Sequence, residues 1–193
     1  VSSNSLRIID LVWTFLKPVI NEGDTVMDAT AGNGHDTLKL AQSVGAKGQV
    51  FAFDIQETAI SNTKRLLDEN GLLDRVKLFQ DDHACFDIYL KAAAVTSLKA
   101  VVINLGYLPG GSRQLVTKTE NSCKLVEKCL VYLEDQGLIT VCLYPGHPEG
   151  EMEAKALLDW AGQLQKPFIA HHFKTLNRNK PPSLLMIQKM RVS

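Results

Sequence analysis

"DATAGNGHDT", residues 28–37, overlaps the apolar run "TVMDA" (25–29) and leads into a segment of helical period at 35–44. A strand that breaks into a short glycine-bearing loop and resumes as a helix is the opening of a nucleotide-type βα unit. Gly32 and Gly34 allow positive φ, or let a ligand come close to the backbone. Amides at the start of the following helix can then face a polar or anionic group. A dinucleotide fingerprint asks for a third glycine at position 37, and Thr37 stands there instead. The loop suits a nucleoside ligand and disfavours a dinucleotide.

Outward from this loop the same alternation continues. "QVFAFD" (49–54), "RVKLFQ" (75–80), "KAVVIN" (99–104), "GLITVCLY" (137–144), "PFIAHHFK" (167–174) and "SLLMIQKM" (183–190) read as strands. Residues 57–70, 82–93, 119–134 and 150–164 carry helical spacing, with "ENG" (69–71) and "DQG" (135–137) as helix stops. Such alternation predicts an α/β fold, a mainly parallel seven-stranded sheet with helices on both faces. "TLNRNKPP" (175–182) is too short for a helical crossover, so the last two strands should form an antiparallel hairpin. A parallel sheet ending in such a hairpin resembles the class I methyltransferase variant of the Rossmann-like fold. The opening segment "SLRIIDLVWTFLKPVI" (5–20) is expected to be a helix packed on the sheet or on a second subunit, with Trp13 and Trp160 in helix interfaces.

The chain has 193 residues, 45% of them hydrophobic, which fits one domain over 1–193. No apolar run approaches the roughly 20 residues that span a bilayer, so a soluble protein is expected. The chain starts at "VSSNSLRIID" with neither an initiator Met nor a signal-peptide pattern, and trimming or processing is the expectation there. Cys85, Cys123, Cys129 and Cys142 form no C-x-x-C pair, which argues against structural zinc and a disulfide framework. Adjacent His171 and His172 in a strand would face opposite ways, so no metal is expected. Charge balances at 21 basic and 21 acidic side chains, yet no acidic residue follows Asp159, while Lys166, Lys174, Arg178, Lys180, Lys189 and Arg191 do. That basic end suits a local anionic partner, or a surface balanced by neighbours in space.

In an open α/β sheet, ligands bind beyond the carboxyl ends of the strands. The loops there span 28–36, 54–57, 81–84, 104–119, 144–149 and 175–182, and most of the chemically suggestive residues lie in them. Asp54 closes the second strand, where a carboxylate can accept both ribose hydroxyls. Asp81 follows the third strand and can accept from an adenine amino group; Asp82 beside it reads equally as an N-cap. NAD carries a pyrophosphate, whereas S-adenosylmethionine carries a carboxylate, an ammonium and a sulfonium. Asp28, Asn33 and Asp36 suit the second set, so the methyl donor is the expected cofactor. Across the cleft, "NLGY" (104–107) occupies the place of the Asn-Pro-Pro-Tyr motif of many amino-methyltransferases, keeping Asn104 and Tyr107 but neither proline. In that motif the Asn oxygen and a backbone carbonyl accept hydrogen bonds from one amine and turn its lone pair toward the methyl group.

"DATAGNGHDT", "AFDIQ", "NLGYLPGG", "VTKTEN", "YPGHPEG" and "PPSLL" occur in order over nearly the whole chain. Together they resemble the YtqB/MnmM family of small S-adenosylmethionine-dependent methyltransferases. The resemblance implies methylation of the 5-aminomethyl nitrogen of the (2-thio)uridine at the tRNA wobble position, giving 5-methylaminomethyl-(2-thio)uridine. It also implies a homodimer and a site near the tRNA anticodon. On the cofactor side it places Asp28, Thr30, Gly32, Asn33, Gly34, His35, Asp36, Thr37, Asp54, Gln56, Asp81 and His83. On the acceptor side it places Asn104, Tyr107, Thr117, Lys118, Glu120 and His147.

An alkyl ammonium has no lone pair, so the acceptor must be deprotonated first. His147, with an ordinary pKa of about 6.5, can assist as a base, can serve as a loop hydrogen-bonder, or can leave the proton to solvent. Tyr107 would stack on the base or close the pocket, and Arg178 and Lys180 would meet RNA backbone at the hairpin tip. Alternatives are another acceptor (an rRNA base, a protein amide or a small amine), an NAD-dependent oxidoreductase, or a non-catalytic RNA-binding module. The expected compartment is the cytoplasm for a bacterial protein, or a plastid or mitochondrion if a transit segment was removed.

Overall fold

The computed structural model describes residues 7–105 and 119–191. Its strands are β1 (Thr25–Asp28), β2 (Gln49–Asp54), β3 (Val76–Gln80), β4 (Leu98–Leu105), β5 (Leu133–Leu143), β6 (Phe168–Lys174) and β7 (Ser183–Lys189). The helices are α1 (Ile8–Leu16), α2 (His35–Ser43), α3 (Glu57–Glu69), α4 (Phe86–Ala92), α5 (Thr119–Tyr132) and α6 (Pro148–Ala161). One seven-stranded sheet has the order β3-β2-β1-β4-β5-β7-β6. The first five strands pair in parallel, and β7 runs antiparallel to both β5 and β6. This is the expected mainly parallel sheet with its C-terminal hairpin.

The central strands are apolar along their length because both faces are covered. Alternate residues divide between two cores. Met27, Phe51, Phe53, Val101 and Ile103 point toward Phe86, Leu90, Leu125 and Leu157 of α4, α5 and α6. Val26, Val50, Ala52, Ala100 and Val102 point toward Val12, Leu16, Leu40, Ala41 and Leu67 of α1, α2 and α3. The apolar stripe of α1 is thus used within the chain: Val12 and Leu16 are fully buried, and Phe15 meets Phe173 of β6 with ring centroids 5.0 Å apart. Of the two expected settings for the opening helix, the sheet is the one seen.

One local expectation needs correction. "DQG" does not end α5, which stops at Tyr132. Residues 134–137 instead form an irregularity inside β5, where pairing with β4 jumps from Leu98–Leu133 to Ala100–Leu138. Gln136 takes φ +63°, and a Cβ on Gly137 would stand 2.8 Å from the Glu134 carbonyl, which explains the small residue. Within the expected hairpin the later strand takes the inner place. β7 is buried and interior, whereas β6 is the edge strand. "SLLMI" supplies apolar side chains for both faces; "IAHHFK", with its polar positions, is compatible with only one covered side.

Beside β3 an aromatic column of Phe51, Phe53, Phe79 and Tyr89 has centroid separations from 4.3 to 6.0 Å. It stands directly under the carboxyl ends of β2 and β3. Phe51→Ala is expected to cost about 3–5 kcal/mol, seen as a lower urea midpoint at an unchanged slope.

Candidate functional site

The loop after β1 is built around a buried carboxyl group. Asp28 is fully enclosed; its Oδ1 accepts from the Thr30 amide at 3.1 Å and its Oδ2 from the Thr37 hydroxyl at 2.6 Å. Burial, reinforced by the nearby Asp36 carboxylate, pushes Asp28 up to about 7. Between the two threonines, Gly32 and Gly34 take φ of +55° and +82°. At Gly34 a Cβ would lie 2.8 Å from Thr63 Cα, so the turn also needs glycine to seat against α3. Thr63 Oγ1 donates to the Gly32 carbonyl at 3.1 Å, and Asn62 Nδ2 to Asn33 Oδ1 at 3.1 Å. Asp28 and Thr37, expected to touch the cofactor, therefore shape the loop from within.

At the end of β2, Asp54 joins two loops: Oδ2 accepts the Gly32 amide and Oδ1 the Gln56 amide, both at 2.9 Å. Each carboxylate oxygen has a further lone pair for a hydroxyl group. Gln56 caps α3, and His35 opens α2 with an exposed side chain. Asp81 is held below the usual carboxylate range by the Tyr89 hydroxyl, which donates at 2.6 Å, and by the Asp82 amide at 2.7 Å. Asp82 accepts from the Ala84 amide at 2.8 Å, the N-cap alternative read from sequence. His83 is pushed down by burial, toward the neutral ring, and its Nε2 is buried without a hydrogen-bond partner among the described residues.

Asn104, near the end of β4, is tied to the loop after β1 and to α2. Its backbone amide donates to Thr30 Oγ1 at 2.7 Å, and its Nδ2 to Asp36 Oδ2 at 3.0 Å. The other Asp36 oxygen accepts the Trp13 indole N–H at 2.8 Å. What remains is Asn104 Oδ1, buried and without a hydrogen-bond partner among the described residues. Sequence reading assigned Trp13 to packing and Asp36 to the cofactor; the structure links both to the acceptor residue. Tyr144, at the mouth of the same corner, was also missed. Its phenol is pushed up to about 12 by burial and by Cys142 and Asp36 nearby. A tyrosine directly after an apolar strand was the available signal.

His147 is the N-cap of α6; its Nδ1 accepts the Gly150 amide at 3.0 Å and stands 3.3 Å from Glu149 Oε2. This is the loop role that sequence left open beside the catalytic one. Behind it, buried Ser122 donates to buried Glu153, a link between α5 and α6 that no motif announced. Tyr107, Thr117 and Lys118 lie outside the described residues, and Glu120 falls in the first turn of α5.

Arg178 and Lys180 open onto a groove of about 440 Å³ between α6 and the β6–β7 connection, shared with Lys155, His172 and Lys174. Lys180 is paired with Glu151 at 2.6 Å and Lys155 with Asp159 at 2.5 Å. Among the described residues, neither Lys174 nor Arg178 makes an ion pair. No helix among them is long and apolar enough to cross a membrane.

A family model described as "Putative rRNA methylase" matches residues 50–189, and one for the ubiE/COQ5 methyltransferase family matches residues 5–92. The chain is 36% identical over 192 residues to "tRNA (mnm(5)s(2)U34)-methyltransferase, chloroplastic" of Arabidopsis thaliana, covering 95% of this chain and 68% of that one. A "putative rRNA-methylase" from Clostridium thermocellum superposes with a TM-score of 0.91 at 38% identity, covering 97% of this chain and 100% of the other. A "putative methyltransferase" from Streptococcus mutans, solved in complex with SAH, gives 0.85 at 32% identity over 96% of this chain and 99% of the other.

The residues present fit S-adenosylmethionine. The glycine turn has no room for side chains at Gly34, the Asp54 carboxylate is fixed at the strand end, and His83 Nε2 and Asn104 Oδ1 lack hydrogen-bond partners among the described residues. No pyrophosphate clamp is needed for such a ligand. On sequence, fold and site together, the chain belongs to the "Putative rRNA methylase" family and is an S-adenosylmethionine-dependent methyltransferase.

Proposed function

We propose that this enzyme methylates the 5-aminomethyl nitrogen of the (2-thio)uridine at the tRNA wobble position, giving 5-methylaminomethyl-(2-thio)uridine. The observation that carries this reading is the orphaned Oδ1 of Asn104, a buried acceptor at the carboxyl edge of the sheet. A primary amine supplies the N–H it lacks. The Arabidopsis relative, described as a tRNA mnm(5)s(2)U34 methyltransferase, supports an aminomethyl uridine as the amine's source.

When bound, the cofactor supplies an electrophilic sulfonium methyl group. Asp54 would take its ribose hydroxyls, Asp81 its adenine end, and the Gly32–Gly34 turn its methionine portion. Asn104 Oδ1 accepts one N–H of the neutral amine and holds its lone pair in line with the methyl. The amine nitrogen would form the new N–C bond as the C–S bond breaks, and the extra proton on nitrogen would be lost afterwards. His147 Nδ1 is already engaged by the Gly150 amide, so we assign proton removal to solvent rather than to that ring. Tyr107 is retained as the wall over the wobble base, and Lys118 and Glu120 as substrate contacts. The homodimer is retained from the resemblance, and an organelle is the compartment that the relative's chloroplastic description favours.

For RNA, the groove between α6 and the hairpin offers Lys174 and Arg178 to the anticodon backbone, with Lys180 partly neutralised by Glu151. Phosphate contacts of this kind position the substrate without reading sequence.

Asn104→Ala is expected to leave the cofactor dissociation constant within about twofold in calorimetry. It should lower methyl transfer by about 100-fold or more, on tRNA lacking only the terminal methyl. Lost cofactor affinity instead would overturn the division of the site. Arg178→Ala with Lys180→Ala should weaken tRNA binding more at low than at high salt, with Arg178 contributing the larger share. For each phosphate deprived of its cation, the slope of log affinity against log salt should flatten by about 0.7–0.9. An unchanged slope would remove the groove from the RNA path.

A further inference from the structure

We infer that Trp13 and Asp36 are positioning residues that fix the rotation of the Asn104 carboxamide and so decide which of its atoms meets the methyl acceptor. The inference rests on the reading of Asn104 as the amine-orienting group.

A carboxamide is nearly symmetric in shape but opposite in chemistry at its two ends: the oxygen accepts and the NH₂ donates. Only the oxygen is useful toward an amine whose lone pair must stay free for attack. With the NH₂ facing the acceptor, the amine would donate its lone pair to Asn104 and be held in an unreactive state. Something must therefore specify the rotamer. An ionised carboxylate can only accept, so Asp36 Oδ2, 3.0 Å from Nδ2, demands the NH₂ end and leaves Oδ1 facing away from it. Oδ1 is in fact the buried atom without a partner, which is the orientation the chemistry requires.

Asp36 needs fixing in turn, since it lies in the first turn of α2 and is only partly buried. The Trp13 indole N–H holds its second oxygen at 2.8 Å. Indole nitrogen donates and never accepts, so this contact requires an acceptor oxygen on Asp36. The ring is kept in place from the other side by Lys39, whose Nζ stands 5.1 Å from its centroid, and by the burial of Val12 and Leu16 on the same helix. At the far end, the Asn104 backbone is anchored by Thr30 Oγ1. With its backbone and the donor end of its side chain both fixed, Asn104 retains one unpaired acceptor. The relay also assigns α1 a part in catalysis that the parallel sheet alone would not require.

The experiment uses the full chain with tRNA lacking only the terminal methyl, and measures kcat, tRNA KM and cofactor dissociation constant for Trp13→Phe, Asp36→Asn, Asn104→Ala and the Trp13→Phe/Asn104→Ala pair. Trp13→Phe keeps a smaller aromatic ring and removes the N–H; kcat should fall about five- to tenfold, with KM and cofactor affinity within about twofold. Asp36→Asn no longer dictates the amide rotamer and should lower kcat by about 100-fold, again without loss of cofactor affinity. In the Asn104→Ala background, Trp13→Phe should have no further effect on kcat, because the relay then has nothing to orient. A merely structural Trp13 would give the same fold-loss in both backgrounds, which overturns the relay. So does Asp36→Asn losing cofactor affinity while kcat at saturation is kept. A defective Asn104→Ala beside fully active Trp13→Phe and Asp36→Asn sinks the relay alone; a fully active Asn104→Ala sinks both the relay and the acceptor reading beneath it.

Discussion

One enclosed carboxyl group holds the upper edge of the sheet together. Asp28 lies at the end of β1, completely buried, and takes hydrogen bonds from Thr30 on the near side of the glycine turn and Thr37 on the far side. An isolated charge there would be costly, and the upward shift to about 7 shows how strongly the surroundings favour the neutral form. Thr30, held by Asp28 through its amide, offers its hydroxyl oxygen to the Asn104 amide. Thr37, held through its hydroxyl, sets the first turn of α2, from which Asp36 reaches back to Asn104. Two routes thus leave Asp28 and converge on the acceptor residue.

This arrangement removes a clean boundary between a cofactor half and a substrate half. Asp54 and Asp81 stand at the ends of β2 and β3, each carboxylate fixed by two donors. Asp36, although it belongs to the glycine-loop segment, has its oxygens committed to Trp13 and Asn104. The segment that carries the glycine turn therefore also holds the Asn104 carboxamide. Displacing that loop would affect transfer as well as binding.

What sequence made legible were the features governed by local pattern. The alternation of apolar runs and helical stripes pointed to the sheet, and Gly32 with Gly34 to the positive-φ turn. Asp54 and Asn104 could be placed because strand ends converge by geometry. The remainder depends on distant partners. Trp13 and Asp36 meet only because α1 docks beside α2, and nothing in the spacing of either segment specifies that. The Ser122–Glu153 bond needs the packing of α5 on α6. The DQG segment was misread because its glycine was taken as a helix stop, whereas Gly137 is required by a crowded irregularity inside β5. His147 shows the opposite case: a histidine before Pro148 at a helix start could be read as a cap from the chain alone.

The insertion of β7 between β5 and β6 has a bearing on biosynthesis. β5 pairs on one side with β4, which precedes it, but its other partner is a strand separated from it by α6 and the whole of β6. Until Ser183–Lys189 has been made, the apolar run of β5 keeps an open row of amides and carbonyls, the kind of edge that invites association between nascent chains. Five parallel strands, with the loops that form the cofactor side, can be laid down before that edge closes. The five-stranded part with Asp28, Asp54 and Asn104 thus comes off the ribosome first, and it depends on the later hairpin for protection.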